Sequence, residues 1–251
     1  MSDADSRVSM AGALTIRKVI EQLCFTASIR LSASYGSAAV ASTEVVRQIW
    51  SLLSVLWWPM SVAGQTLVAG LLAEWAAIRR VHILRRARSI SVRIMAMTTT
   101  IGVLGGLSVF CGRFFIPTVM TSNPLIQDLC SQQLPVVALI MPISALCDMT
   151  ESVFIAAKCY DVVLKGMTLG AIALCGILYA GHALGWGLPT MWIGLGTLFL
   201  VRVAISLWLF NSSSSPIPKQ PSSSSKDSSD TLRLDVEPPK ARPSKPKPSA
   251  L

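Results

Sequence analysis

Apolar residues along this chain gather in blocks of about twenty or more rather than alternating, with short polar or basic connections between them. A helical block of that length rises about 30 Å, enough to cross the hydrocarbon core of a bilayer. Such blocks predict six spans, at about 16–40, 45–74, 92–118, 125–157, 160–182 and 188–210. The 45–74 and 125–157 blocks are longer than a crossing needs, so tilting or bending is expected of both. The first block is the most polar, with Arg17, Lys18, Glu21, Gln22 and Arg30. Two placements stay open for it: an amphipathic helix on the membrane surface, or a span inside a bundle. Ala27, Ser28, Ser32, Ala33 and Ser34 would provide close helix contacts in the second case.

Composition agrees with a membrane class. The chain is 52% hydrophobic and 14% charged, against roughly 25% charged in soluble domains. From Asn211 onward serine runs, scattered lysines and prolines such as Pro216, Pro238 and Pro239 replace the apolar blocks. That composition cannot bury a core, so 211–251 is expected to be a disordered tail. The expected organisation is a short segment at 1–15, a six-helix membrane domain at 16–210, and this tail. The start, Met-Ser-Asp-Ala-Asp-Ser-Arg, lacks the basic-then-apolar pattern of a signal peptide, and none is expected.

Charge supplies orientation. Arg79, Arg80, Arg85, Arg86, Arg88 and Arg93 follow the second block, and the positive-inside rule puts this connection in the cytoplasm. Alternation then places Lys158 and Lys165 inside, the 181–189 connection outside, and both termini inside. The net charge of +9 follows from this topology and the basic tail. No nucleic-acid motif accompanies the arginines, so contact with anionic lipid headgroups is their expected second role.

The candidate chemistry lies in 134–157, an apolar stretch that holds Pro135, Pro142, Asp148 and Glu151. An ionisable group at membrane depth is costly and marks a polar cavity, often an ion or substrate path. Prolines at that depth are tolerated where neighbours or water satisfy the freed carbonyls. Asp148 and Glu151 are three residues apart and project from one helix face. No Lys or Arg lies between 114 and 157 to neutralise them. They are expected to share protons, with Glu151 titrating near neutrality, so that Glu151→Gln stops ion-driven export and leaves folding intact. For Asp148 another placement stays open, near the cytoplasmic end, ion-paired with Lys158 or simply hydrated. One face of the bundle is expected to carry Glu21, Gln65, Asp148 and Glu151 together.

Other chemistry is sparse. The six cysteines form no Cys-x-x-Cys pair and the two histidines lie in different connections, so neither metal nor cofactor is expected. Inert thiols are the default, with a Cys111–Cys130 bridge as the alternative. Gly102, Gly105, Gly106, Gly194 and Gly196 fall inside apolar blocks and read as helix-packing positions, not phosphate loops. An enzyme would need a convergent nucleophile or His cluster, and the sequence offers none.

Val62-Ala-Gly-Gln-Thr-Leu-Val-Ala69, Arg113-Phe-Phe-Ile-Pro117, Thr121-Ser-Asn-Pro124, Leu134-Pro-Val-Val-Ala-Leu139, Met141-Pro142 and Gly185-Trp-Gly-Leu-Pro-Thr-Met-Trp-Ile-Gly194 occur in that order. Together they resemble the multidrug and toxic compound extrusion (MATE) transporters, most of all the bacterial DNA-damage-inducible and plant plastid-type branch, from about Arg17 to Phe210. The resemblance implies a secondary antiporter that exports small organic compounds or xenobiotics in exchange for H+ or Na+. It implies two six-helix lobes with the substrate path between them. Glu151 matches an acidic position and Gln65 a polar one, while Trp58 stands where relatives often carry an acid. Only the second lobe is matched. The partner is therefore expected to be the missing first lobe or a second copy of the chain. The membrane, plasma or plastid, is left open, and a non-transporting structural remnant is the alternative.

Overall fold

The computed structural model describes residues 3–78 and 80–212; the tail expected at 211–251 lies outside them from residue 213, as does Arg79. The helices are α1 (Asp3–Ala33), α2 (Ser37–Ser54), α3 (Trp58–Ile78), α4 (Val81–Cys111), α5 (Ile116–Met120), α6 (Pro124–Ala156), α7 (Tyr160–Ala183) and α8 (Thr190–Asn211). Among the described residues there is no strand. The molecule is an all-α, multi-pass membrane protein. Among the described residues, five helices are long and apolar enough to cross a bilayer: α3, α4, α6, α7 and α8.

The expectation of six continuous spans is corrected at two places. The 16–40 block ends at Ala33, where the chain turns through Gly36 at φ +100, a conformation that suits glycine. The 45–74 block is broken at residues 55–57. Pro59 has no N–H to give the Val55 carbonyl, so one hydrogen-bond ladder cannot run through, and Pro59 instead occupies the first turn of a new helix. Both pieces still follow α6. Ser42 of α2 meets Cys130 and Gln133, and Gly64 of α3 approaches Met149 so closely that a Cβ there would lie 2.7 Å from its methyl. Thus α2 and α3 form one bent traverse that runs parallel to α6.

Helix α6 is the centre of the core. Leu134, Val137, Met141, Ala145, Cys147 and Phe154 are all buried on it. Pro142 denies the Ala138 carbonyl its helical donor. Gly106 of α4 covers that carbonyl, leaving a would-be Cβ only 2.4 Å from its oxygen, and Gly102 sits against Pro142 itself. Gly196 of α8 packs on Ile140 in the same way. These glycines are packing positions, as expected. The polar helix α1 lies against α7, α8 and α2, with Cys24, Ser28 and Ser32 buried, so it is part of the bundle. Outward-facing residues of α4, α7 and α8, among them Leu104, Leu107, Ile172, Tyr179 and Leu200, are apolar, as a lipid-facing surface requires. Cys111 and Cys130 are not bridged; both are free thiols.

The end of α6 has one unusual residue. Lys158 N–H bonds the Ile155 carbonyl (3.0 Å) and Cys159 N–H bonds the Phe154 carbonyl (2.9 Å), a Schellman closure. Its left-handed position, usually glycine, is Lys158 at φ +59. A side chain in that conformation costs about 1–2 kcal/mol.

Candidate functional site

A cavity of about 300 Å³ opens between α1, α2, α3, α6 and α8. Glu21, Gln65, Asp148 and Glu151 all line it. Three helices contribute them: Glu21 from α1, Gln65 from α3, and the two carboxylates from one face of α6.

Their partners differ from the sequence expectation. Glu151 is 3% exposed and bracketed by two guanidiniums. Its Oε1 accepts from Arg202 Nε at 2.6 Å and Nη2 at 2.5 Å, and its Oε2 accepts from Arg17. Arg202, on α8, is itself 2% exposed. The expectation of an uncompensated carboxylate is thereby corrected: the neutralising charges come from α1 and α8. Glu151→Gln would consequently strand the buried Arg202 and leave the half-buried Arg17 with Glu21 alone, so the expectation that folding survives it unharmed no longer has its premise. Arg17 also lies 3.9 Å from Glu21, which Lys18 meets at 3.0 Å. The buried cluster ties α1, α6 and α8 together.

Asp148 has a different neighbour. Its Oδ2 accepts from the Trp57 indole at 3.0 Å. Trp57 is fully buried in the break between α2 and α3. Asp148 lines the cavity, and its hydrogen bond is to Trp57, not to Lys158 as the alternative placement had it. Of the two carboxylates, Asp148 is the one whose hydrogen bond comes from a neutral group. Two more donors of the cavity, Arg17 Nε and Trp50 Nε1, are buried without an acceptor among the described residues. Buried donors of that kind are met by water or a ligand.

Arg17, Arg202 and Trp57 were missed as site residues. Arg202 had a readable signal: it is a lone charge in the middle of an apolar span, and such a charge needs a partner. Trp57 had none, because its role depends on where the 45–74 block breaks.

A second polar cluster lies nearer the start of α6. Gln133, fully buried, donates to Ser42 Oγ and the Leu129 carbonyl, both at 3.0 Å. Its Oε1 accepts from Trp192 Nε1 at 2.9 Å and from Thr43 at 3.5 Å. The cluster joins α2, α6 and α8 and contains no charge. None of its members lines the cavity of Glu151.

Comparison with known proteins agrees with this architecture. The MatE family pattern matches residues 13–180. Protein DETOXIFICATION 42 of Arabidopsis thaliana is 27% identical over 205 residues, which cover 81% of this chain and 38% of that protein. Protein DETOXIFICATION 43 of the same plant is 24% identical over 196 residues, covering 77% and 35%. The chain thus spans less than two-fifths of the length of either curated relative. A helical bundle with membrane-crossing helices, matched over most of its described length, places the chain in the MatE family.

Proposed function

We propose that this chain forms one lobe of a secondary active transporter, a cation-coupled antiporter that exports small organic compounds. The observation that carries the reading is the cavity: Glu21, Gln65, Asp148 and Glu151 converge from three helices inside an apolar bundle. The family membership and the names of the DETOXIFICATION relatives support it. The second lobe is the missing first lobe or a second copy of the chain, closing the cavity from its open side.

In this reading the two carboxylates divide the labour. Glu151, held by Arg17 and Arg202, is a fixed counter-charge that keeps α1 and α8 on α6. Asp148, held by a neutral indole, is the group that takes up and releases the coupling ion, H+ or Na+. Gln65 and Glu21 supply further polar atoms on the path, and the unpartnered Arg17 Nε and Trp50 Nε1 provide donors for water or substrate.

The test is efflux of a fluorescent organic dye from proteoliposomes that carry the chain with its second lobe, under an imposed pH or sodium gradient. Efflux driven by one of the two gradients and lost in Asp148→Asn is expected. The gradient that works identifies the ion. Absence of any gradient-dependent efflux would favour the alternative, a structural membrane protein, for which the Arg17–Glu151–Arg202 cluster is simply a fastening.

A further inference from the structure

A second, apolar groove of about 330 Å³ lies where α3 and α6 end. Its walls are Ala69, Leu72, Ala73 and Ala76 of α3 with Ala156 of α6 and Ala157 after it. Among the described residues, the one charged side chain that lines it is Lys158. Trp75 also lines it, and Tyr160 begins the next helix two residues past Lys158. Aromatic residues at this position on a membrane helix sit at headgroup level.

The surroundings add charge of one sign. Arg80, four residues beyond Ala76, caps the start of α4, and Arg85 and Arg86 are exposed on its first turns. Glu74, on the same turn of α3, is not among the groove's lining residues. By the positive-inside rule this end of the bundle faces the cytoplasmic leaflet, where anionic lipids are concentrated.

We propose that this groove binds one anionic phospholipid. An acyl chain lies against the alanine walls, where small side chains leave room for it, and the headgroup phosphate meets the Lys158 ammonium at the rim. Apolar walls with a cation at the mouth match an amphiphile with a negative head better than they match a free anion, which would leave the alanine walls unfilled. Lys158 also occupies the left-handed position of a Schellman closure, where glycine would be less strained. The strain fits a residue kept for its ammonium and not for its backbone.

The experiment uses the full chain, purified and reconstituted in bilayer discs that mix phosphatidylglycerol and phosphatidylcholine, with retained lipid counted by native mass spectrometry. Wild-type protein is expected to retain one phosphatidylglycerol with a preference of about fivefold, the effect of one lysine at an anionic surface. Lys158→Gly removes the ammonium and relaxes the turn, so it should lose the preference while its thermal midpoint stays level or rises. Lys158→Arg should keep the preference. Ala73→Trp fills the groove and should lose the retained lipid of either kind. Equal retention of both lipids by the wild type, or an unchanged preference in Lys158→Gly, would overturn the proposal. So would displacement of the lipid by inorganic phosphate, which would make the groove a simple anion site. Displacement by the transported dye would make it part of the substrate path, and shielding of the groove in a lipid-independent dimer would make it a contact between chains; either result also overturns it.

Discussion

The two polar clusters of α6 stand 18 residues apart and solve the problem of buried polarity in opposite ways. Around Gln133 every amide donor and acceptor is matched by Ser42, Leu129, Trp192 and Thr43, with no charge and no share in the Glu151 cavity. Around Glu151 and Asp148 the groups are charged, border a cavity, and leave two donors unmet. A closed neutral network rigidifies and specifies the packing of its helices. A charged one beside a cavity has protonation and ligand states to exchange. The same helix thus carries a closed neutral fastening in one half and, in the other, a charged fastening at Glu151 beside the cavity that Asp148 lines, and both reach α8.

The largest effect that tests this contrast comes from splitting the buried ion cluster. Glu151→Gln should cost about 3–5 kcal/mol of stability, because Arg202 remains buried without its carboxylate and Arg17 keeps only Glu21. Unfolding of the purified protein in detergent measures it. The double variant Glu151→Gln/Arg202→Met should recover much of the loss, and a neutral single variant would show that the cluster is not a fastening at all.

Gln133→Leu comes next. It leaves Trp192 Nε1 without its acceptor, while Ser42 Oγ keeps its bond to the Ala39 carbonyl, at about 1–3 kcal/mol, and dye efflux under a gradient should keep its ion dependence. Loss of efflux at unchanged stability would erase the distinction between the two halves. Asp148→Asn should be milder still for folding, within about 1 kcal/mol, since an amide oxygen can accept from the Trp57 indole. Its effect belongs in transport: gradient-driven efflux should fall to background. Asp148→Asn with full efflux would move the ion role elsewhere. Smallest of all, Glu44→Gln breaks a pair with Arg47 whose side chains are 41% and 39% exposed, and should shift stability by less than about 1 kcal/mol. A larger cost would mean that this part of α2 is covered in the working protein.

Much of the site was legible because it follows from spacing along one helix. Asp148 and Glu151, three residues apart in an apolar block, had to share a face, and Gln65 and Glu21 do join them in the cavity. The glycines of α4 and α8 read correctly as packing positions for the same reason: their setting is local. What escaped is tertiary. Arg17 is 134 residues from Glu151 and Arg202 is 51 away, and no periodicity connects them. The absence of cations between 114 and 157 was a true statement about the sequence and a poor guide to space. The break in the 45–74 block had a visible cause in Pro59, yet length alone could not decide between a bend and a rupture.

That rupture has a consequence in time as well as in shape. Helices α2 and α3 share no hydrogen-bond ladder across Pro59, so each opens and closes as its own cooperative unit. An amide-exchange map of this traverse would show two levels of protection with a boundary at residues 55–57. Trp57 stands on the boundary and holds Asp148. The Asp148 carboxylate therefore meets its indole donor at the seam between the two pieces, and lower amide protection at 55–57 than in α2 and α3 is the outcome expected of that seam.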